Sequence, residues 1–144
     1  MRTARNFFTE QEQAMLIAAI ALAELKTSGE IRLHIENFCF GNEVKRAEKV
    51  FAHLKMHNTK ERNGVLIYMA VLNKKIAVVG DKGIHQKLGN EFWQKIVADL
   101  IKKFKASNKA TALSECIGEC GEQLGKFFPR KKDDTNELTN SISF

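Results

Sequence analysis

The sequence predicts an α/β sandwich in which a small mixed β-sheet is covered by helices on both faces. Segments with helical spacing alternate with segments of strand spacing, in the order helix, strand, helix, strand, strand, helix, helix. A strand, a helix and a second strand in succession make the two strands parallel, with a right-handed crossover. Only Asn73-Lys74 separates the second strand from the third, which is the spacing of a tight hairpin between antiparallel neighbours.

A capping pair marks the first helix, and alternation marks the first strand. Thr9 and Glu12 form a capping box, since each side chain can bond a backbone amide at a helix start. The helix runs to about Lys26 and ends at Ser28-Gly29. Apolar and polar residues then alternate, which is the period of a strand with one buried face: Ile31, Leu33 and Ile35 against Arg32, His34 and Glu36.

The second helix leads into the central strand. Gly41-Asn42 supplies a turn and a cap, and apolar residues then recur at helical spacing until about Met56. The polar stretch 57–63 precedes residues 64–72, which are apolar at odd-numbered and even-numbered positions alike. A strand of this kind is covered on both faces and lies in the middle of a sheet. The third strand, residues 75–79, runs back beside it.

Two amphipathic helices complete the domain. A loop at residues 80–83 leads through residues 84–89 to the third helix, and the fourth helix ends before Pro129. Residues 129–144 show no clear periodicity. We therefore expect one domain over residues 1–128 and a C-terminal tail over residues 129–144 that could be mobile.

Composition restricts the class of protein. A chain of 144 residues that is 44% hydrophobic and 28% charged has the size and balance of one globular domain. Its apolar runs are too short to span a bilayer, and the N-terminus lacks the apolar stretch of a signal peptide. The three cysteines are an odd number without the spacing of a disulfide scaffold. We expect a monomer that stays in the cytoplasm with reduced thiols.

The ends of the strands predict a metal site. Parallel strands one and two begin at the edge where antiparallel strand three ends, so three polar sequences meet there, at residues 28–30, 62–64 and 80–83. Their side-chain oxygens are hard ligands for calcium or, alternatively, magnesium: Glu30, Asn63 and Asp81. Tail carboxylates could fold back onto this edge, at Asp133, Asp134 and Glu137. The loops themselves would depend on Gly29, Gly64, Gly80 and Gly83. The alternative interpretation leaves these carboxylates as solvated loop residues.

Other candidate sites are weaker. Open α/β proteins usually bind ligands at the carboxyl ends of parallel strands, where residues 38–42 and the hairpin at Asn73-Lys74 lie. Packing in the core is the better interpretation of Cys39, Cys116 and Cys120, and the four histidines are scattered. Phosphate-loop, nucleophile-elbow and zinc-helix motifs are missing from the sequence. A net charge of +6 suits an anionic partner, but no nucleic-acid-binding motif accompanies it, so we do not expect a nucleic acid.

Four short blocks in the expected order resemble the TPM domain, over about residues 5–128: residues 7–10 (Phe-Phe-Thr-Glu), 27–32 (Thr-Ser-Gly-Glu-Ile-Arg), 62–67 (Arg-Asn-Gly-Val-Leu-Ile) and 80–84 (Gly-Asp-Lys-Gly-Ile). The resemblance implies a Rossmann-like α/β sandwich. It also associates the fold with an acid phosphatase of the thylakoid lumen, photosystem II repair and modulation of a membrane receptor, and it links family members to divalent-cation binding by loop carboxylates.

The resemblance places Asn63 and Asp81 within the matching blocks. Many members carry an aspartate where this chain has Asn63, so one ligand charge is lost here. The leading hypothesis is an accessory or binding module that holds a divalent cation and acts with a protein partner whose identity is unknown. A metal-dependent acid phosphatase is the alternative, and a basic adaptor for an anionic partner is a further alternative.

Overall fold

Seven elements follow one another in the order that the sequence predicts. The computed structural model describes residues 2–130 and 140–144. Its elements are α1 (Glu10–Glu24), β1 (Glu30–Glu36), α2 (Glu43–His53), β2 (Gly64–Ala70), β3 (Lys75–Gly80), α3 (Lys82–Ala106) and α4 (Lys109–Phe127). The predicted α/β class is confirmed.

The sheet has the order β1-β2-β3. β1 runs parallel to β2 with Glu30 opposite Gly64, and β3 runs antiparallel to β2 with Gly80 opposite Val65. All seven residues of β2 are buried, as their apolar character at both parities predicts. β1 and β2 therefore begin at the edge where β3 ends, and we call this end of the sheet the loop edge.

Two hydrophobic clusters cover the two faces of the sheet. The larger one packs α1, α3 and α4 against side chains such as Leu33 and Ile67, which have no exposed surface. The smaller one packs Phe51 of α2 against Leu66 and Tyr68 of β2. Helices on both faces, as predicted, exclude water from the whole central strand.

The expectation that β1 has only one buried face was wrong. The face that carries His34 and Glu36 is also covered. His34 is buried, with its Nδ1 2.8 Å from Ser143 Oγ, and the half-buried Glu36 is paired with Arg46 of α2. Arg46 donates two hydrogen bonds of 2.9 Å to the Glu36 carboxylate, and the Tyr68 hydroxyl donates a third. Burial acts to raise the pKa of Glu36, but the bonds from Arg46 and Tyr68 lower it to about 2.

The start of α3 also differs from the expected loop over residues 80–83. Asp81 caps the helix, since its side chain accepts the Lys82 amide at 2.7 Å, so the helix begins at once. Gly89, with φ of 71° and ψ of 179°, produces a kink inside α3 rather than its start. The sequence pattern misled because two glycines in a polar stretch are typical of a loop.

Residues at both ends of the tail pair with the domain. Pro129 forms an isolated bridge with Thr27, and Ser143 forms one with His34 beside β1. The Ser143 amide donates to the Leu33 carbonyl at 3.0 Å, and the Ile35 amide donates to the Ser143 carbonyl at 2.9 Å. Residues 131–139, which include the predicted ligands Asp133, Asp134 and Glu137, lie outside the described residues.

The described ranges contain no helix of the length and apolar character needed to cross a membrane. Cys39, Cys116 and Cys120 are all buried and free. Their surroundings are those of packed core side chains, in agreement with the sequence interpretation.

Replacing Arg46 with methionine tests the covered face of β1. Without Arg46 the half-buried Glu36 loses two charge-assisted hydrogen bonds, so we expect the free energy of unfolding at pH 7 to fall by about 1–2 kcal/mol. A carboxyl with a lowered pKa stabilises the fold above its ordinary pKa of 4.5 and loses that contribution as the pH falls to about 2. Urea denaturation of Arg46→Met should therefore show a weaker loss of stability over this acid range. The matched control is Lys49→Met, an exposed charge on the same helix; an equal effect there would contradict the assignment.

Candidate functional site at the loop edge

Backbone hydrogen bonds join the three sequences that were predicted to meet at the loop edge. The Glu30 amide donates to the Asn63 carbonyl at 3.4 Å, and the Asp81 amide donates to the Gly64 carbonyl at 2.9 Å. Glu30, Asn63 and Asp81 are buried, with 3%, 1% and 3% of their surface exposed. The predicted convergence is confirmed for the backbone, but the three side chains belong to three separate clusters.

Close packing explains the glycines of this edge. An added Cβ would lie 2.2 Å from the Glu61 carbonyl at Gly83 and 2.5 Å from the Trp93 ring at Gly80. At Gly29 and Gly64 it would lie 3.2 and 3.1 Å from the nearest backbone oxygens. The start of α3 can therefore lie directly against the backbone of residues 61–62.

Asp81 is the centre of the first cluster. Its carboxylate accepts the Arg62 Nε at 2.8 Å, the Arg62 Nη2 at 3.0 Å and the Lys82 amide at 2.7 Å, and His57 Nδ1 lies 3.0 Å away. Burial acts to raise the pKa of Asp81, but Arg62, the Lys82 amide and His57 together lower it. Both carboxylate oxygens are thus engaged by donors of the protein itself. The sequence places Arg62 at this edge without indicating a role for it, and it shows His57 only as one of four scattered histidines.

Glu30 belongs to a second cluster, with Glu24 at the end of α1. Both carboxyl groups are buried, and Glu24 Oε2 accepts the Ile31 amide at 2.9 Å. The pKa of Glu24 is raised to about 8, mainly because the carboxyl group is buried. The charge of Glu30 and a hydrogen bond with it raise this pKa further, whereas the hydrogen bond from the Ile31 amide acts to lower it. Burial and the neighbouring Glu30 thus favour the protonated form of Glu24 near neutral pH. Sequence reasoning missed Glu24, whose only signal was an acidic residue near the end of an apolar helix.

Asn63 belongs to the third cluster, with Ser28 and Glu61. Asn63 Nδ2 lies 3.2 Å from Ser28 Oγ and 3.3 Å from Glu61 Oε2, and Ser28 Oγ donates to Glu61 Oε2 at 3.1 Å. The buried Asn63 Oδ1 has no hydrogen-bond partner among residues 2–130 and 140–144. Rotating the amide by half a turn exchanges oxygen and nitrogen without moving any other atom. Ser28, Glu61 and Asn63 would then present three oxygen atoms to one point.

The size of this triangle suits a cation. Neighbouring ligands of an octahedral ion are separated by about 1.4 times the ion–oxygen distance, so edges of 3.1–3.3 Å correspond to about 2.2–2.3 Å. Within the described ranges no group of three or more histidine, cysteine, aspartate or glutamate side chains could hold a metal. The triangle differs because two of its three ligands are a hydroxyl and an amide. Sequence reasoning missed Glu61, which lies in a polar stretch without a period.

A groove opens beside the Asp81 cluster, between α2 and α3. Its volume is about 940 Å³, and the exposed edge of β3 forms its floor. Arg62, Lys82 and His85 lie at the end that is nearest to Asp81. This end carries cationic and imidazole groups, which suit a small anion, but the Asp81 carboxylate is already engaged by Arg62.

Comparison with known proteins identifies the family. The model of the TPM domain matches residues 2–123, which is most of the chain. The chain belongs to the TPM domain family. The fold of this TPM domain is similar to the NMR structure of the BA42 protein from the psychrophilic bacterium Bizionia argentinensis, with 44% sequence identity and a TM-score of 0.88. The similarity covers 95% of this chain and 94% of that one. A comparison with curated proteins found no match.

The pair of Glu24 and Glu30 makes the stability of this TPM domain depend on pH. A carboxyl whose pKa is raised on folding stabilises the native state at low pH and loses that contribution as the pH rises through the raised pKa. We expect the free energy of unfolding to fall by roughly 2–4 kcal/mol between pH 4.5 and about 8. Glu24→Gln keeps a donor for Glu30 and an acceptor for Ile31, so it should flatten this decline.

Chemical denaturation at four pH values across this range measures the effect. The matched control is Glu91→Gln on the exposed side of α3, which should leave the decline intact. If the stability of Glu24→Gln declines as steeply as that of the parent chain, Glu24 is not the group whose raised pKa causes the decline.

Proposed function

We propose that this TPM domain is an accessory or binding module that holds a divalent cation at the loop edge through Ser28, Glu61 and Asn63. One observation carries the proposal. Asn63 is 99% buried and its Oδ1 has no partner within the described part of the chain, while its amide end faces two oxygen atoms at 3.2 and 3.3 Å. Once the amide had rotated, a bound cation would be the partner of Oδ1, and Nδ2 would occupy the buried position that Oδ1 has left.

Calcium fits this site better than magnesium. Calcium accepts six to eight oxygen ligands at about 2.3–2.6 Å in flexible geometry, whereas magnesium requires a nearly ideal octahedron at about 2.0–2.1 Å. The oxygen separations of 3.1–3.3 Å lie between the roughly 2.9 Å of ideal magnesium geometry and the roughly 3.3–3.7 Å of octahedral calcium, and the flexible geometry of calcium accommodates such a difference more readily. A mixture of hydroxyl, amide and carboxylate oxygens is also typical of calcium sites.

The charge of the ligands limits the affinity. Glu61 is the only carboxylate of the triangle, and each further carboxylate strengthens calcium binding. The tail acids that the sequence predicts as ligands, Asp133, Asp134 and Glu137, would supply this charge and remain part of the proposal. In the same proposal Asp81 positions residues 61–63 through its pair with Arg62, and Glu30 acts through its backbone contact with Asn63.

Two substitutions with opposite effects test the site. Asn63→Asp adds a ligand charge and should tighten calcium binding at least tenfold, whereas Glu61→Gln keeps the shape of the side chain and should weaken it at least tenfold. Amide NMR titration measures both affinities and should show shifts confined to residues 28–30 and 61–64. Asn63→Asp should also lower the thermal midpoint without calcium and recover it with calcium, because a buried unpaired carboxylate is costly.

Asp81→Asn is the discriminating control. The proposal expects it to lower stability but to change the calcium affinity less than Glu61→Gln does. Loss of binding in Asp81→Asn with a persistent fold, and unchanged binding in Glu61→Gln, would place the cation at Asp81 instead. If neither calcium nor magnesium moves any signal of the loop edge, the proposal is wrong. Metal-dependent hydrolysis of a phosphomonoester that disappears in Glu61→Gln would favour the phosphatase alternative, in which the cation activates a water molecule.

A further inference from the structure

A second concave surface lies at the end of the sheet that is opposite the loop edge. It is formed by the carboxyl end of β2, the start of β3, the last turns of α3 and the N-terminal segment, and it encloses about 820 Å³. Its floor is apolar, with Phe7, Met69, Leu72, Ile76, Ile101 and Phe104. Leu72 and Ile101 keep 52% and 39% of their surface exposed, so the floor is open to a ligand.

Five cations surround this floor, and we call the whole surface the basic groove. They are Arg2, Lys74, Lys75, Lys105 and Lys109. None of the residues that line the basic groove in the described structure is acidic. The nearest recorded carboxylate partner is Glu43, whose oxygen lies 3.9 Å from Lys75 Nζ and outside the lining. The potential of the groove is therefore positive along its rim.

Contacts with the floor hold two of these cations over apolar rings. The Arg2 guanidinium lies 4.2 Å from the centroid of the Phe7 ring, and its Nη2 donates to the Phe7 carbonyl at 2.8 Å. Lys109 Nζ lies 5.7 Å from the centroid of the Phe104 ring. Positive charge and apolar surface are thus adjacent, so one ligand can pair with a cation and pack against the apolar floor at the same time.

We propose that the basic groove binds a fatty acid, with its alkyl chain on the apolar floor and its carboxylate among the rim cations. The volume lies within the range of small-molecule sites, and the position at the carboxyl ends of parallel strands is where open α/β sheets bind ligands. A small polar anion would leave the floor in water, and a cationic amphiphile would be repelled. Met69 lines the groove but is only 4% exposed, so the surface is concave there and suits a single alkyl chain better than a flat bilayer.

Titration of the full chain with decanoate tests the proposal. The chelator EDTA is present throughout, so the result is independent of the cation proposed for the loop edge. Amide NMR should show saturable shifts confined to residues 69–76 and 101–109. Octanoate, which is two methylene groups shorter, should bind about tenfold more weakly, because each buried methylene contributes to affinity. Decyltrimethylammonium, which has the same alkyl chain and the opposite charge, should bind at least tenfold more weakly than decanoate.

Two variants locate the binding. Lys105→Glu reverses a rim charge and should weaken decanoate binding at least tenfold, while Lys95→Glu makes the same change outside the groove on the same helix and should have little effect. Leu72→Ser removes part of the exposed floor and should weaken binding several-fold. Equal binding of decanoate and decyltrimethylammonium, or equal weakening by Lys105→Glu and Lys95→Glu, would overturn the proposal. If the chain binds phosphatidylglycerol vesicles but does not bind decanoate, and decanoate does not displace it from the vesicles, the fatty-acid proposal is overturned in favour of a membrane surface.

Discussion

The ion pair between Asp81 and Arg62 is the interaction on which the loop edge depends. Asp81 is 97% buried, so its charge would be costly without the two bonds from Arg62 and the Lys82 amide. The same carboxylate caps α3 and fastens the segment before β2, and Gly83 then packs against the Glu61 and Arg62 carbonyls. The positions of Glu61 and Asn63 follow from this arrangement, because they flank the residue that Asp81 holds.

The two ends of the sheet carry different sets of charged groups. The loop edge holds Glu24, Glu30, Glu61 and Asp81 in buried or hydrogen-bonded positions, whereas the groove at the other end is lined by five cations. Arg62 and Lys82 also lie at the loop edge, beside Asp81, so the proposed cation site depends on the Glu61 carboxylate, while the proposed fatty-acid site depends on the cations of the basic groove. Since the sheet lies between them, the two proposals stand on different residues and succeed or fail separately.

Periodicity and capping predicted the elements and strand order, because both depend on residues that are close in sequence. The parity of residues 64–72 predicted the buried strand, and Thr9 with Glu12 predicted the start of α1, where the capping box is present. Side-chain partners depend on tertiary contacts, so no pattern indicated the pair of Glu24 with Glu30 or of Arg46 with Glu36. Glu61 escaped notice for the same reason, and Gly83 was interpreted as a loop residue although a close backbone contact requires it.

The most direct test of the proposed cation site follows the side-chain carbon signals of the loop edge. Carbon-13 NMR of the Asn63 side-chain carbonyl and the Glu61 carboxylate can be followed during one calcium titration. If calcium binds in the oxygen triangle, both signals move with the same apparent affinity, and the Asp81 carboxylate, which stays paired with Arg62, moves little. If the Asp81 signal moves and those of Glu61 and Asn63 do not, the oxygen triangle is not the cation site.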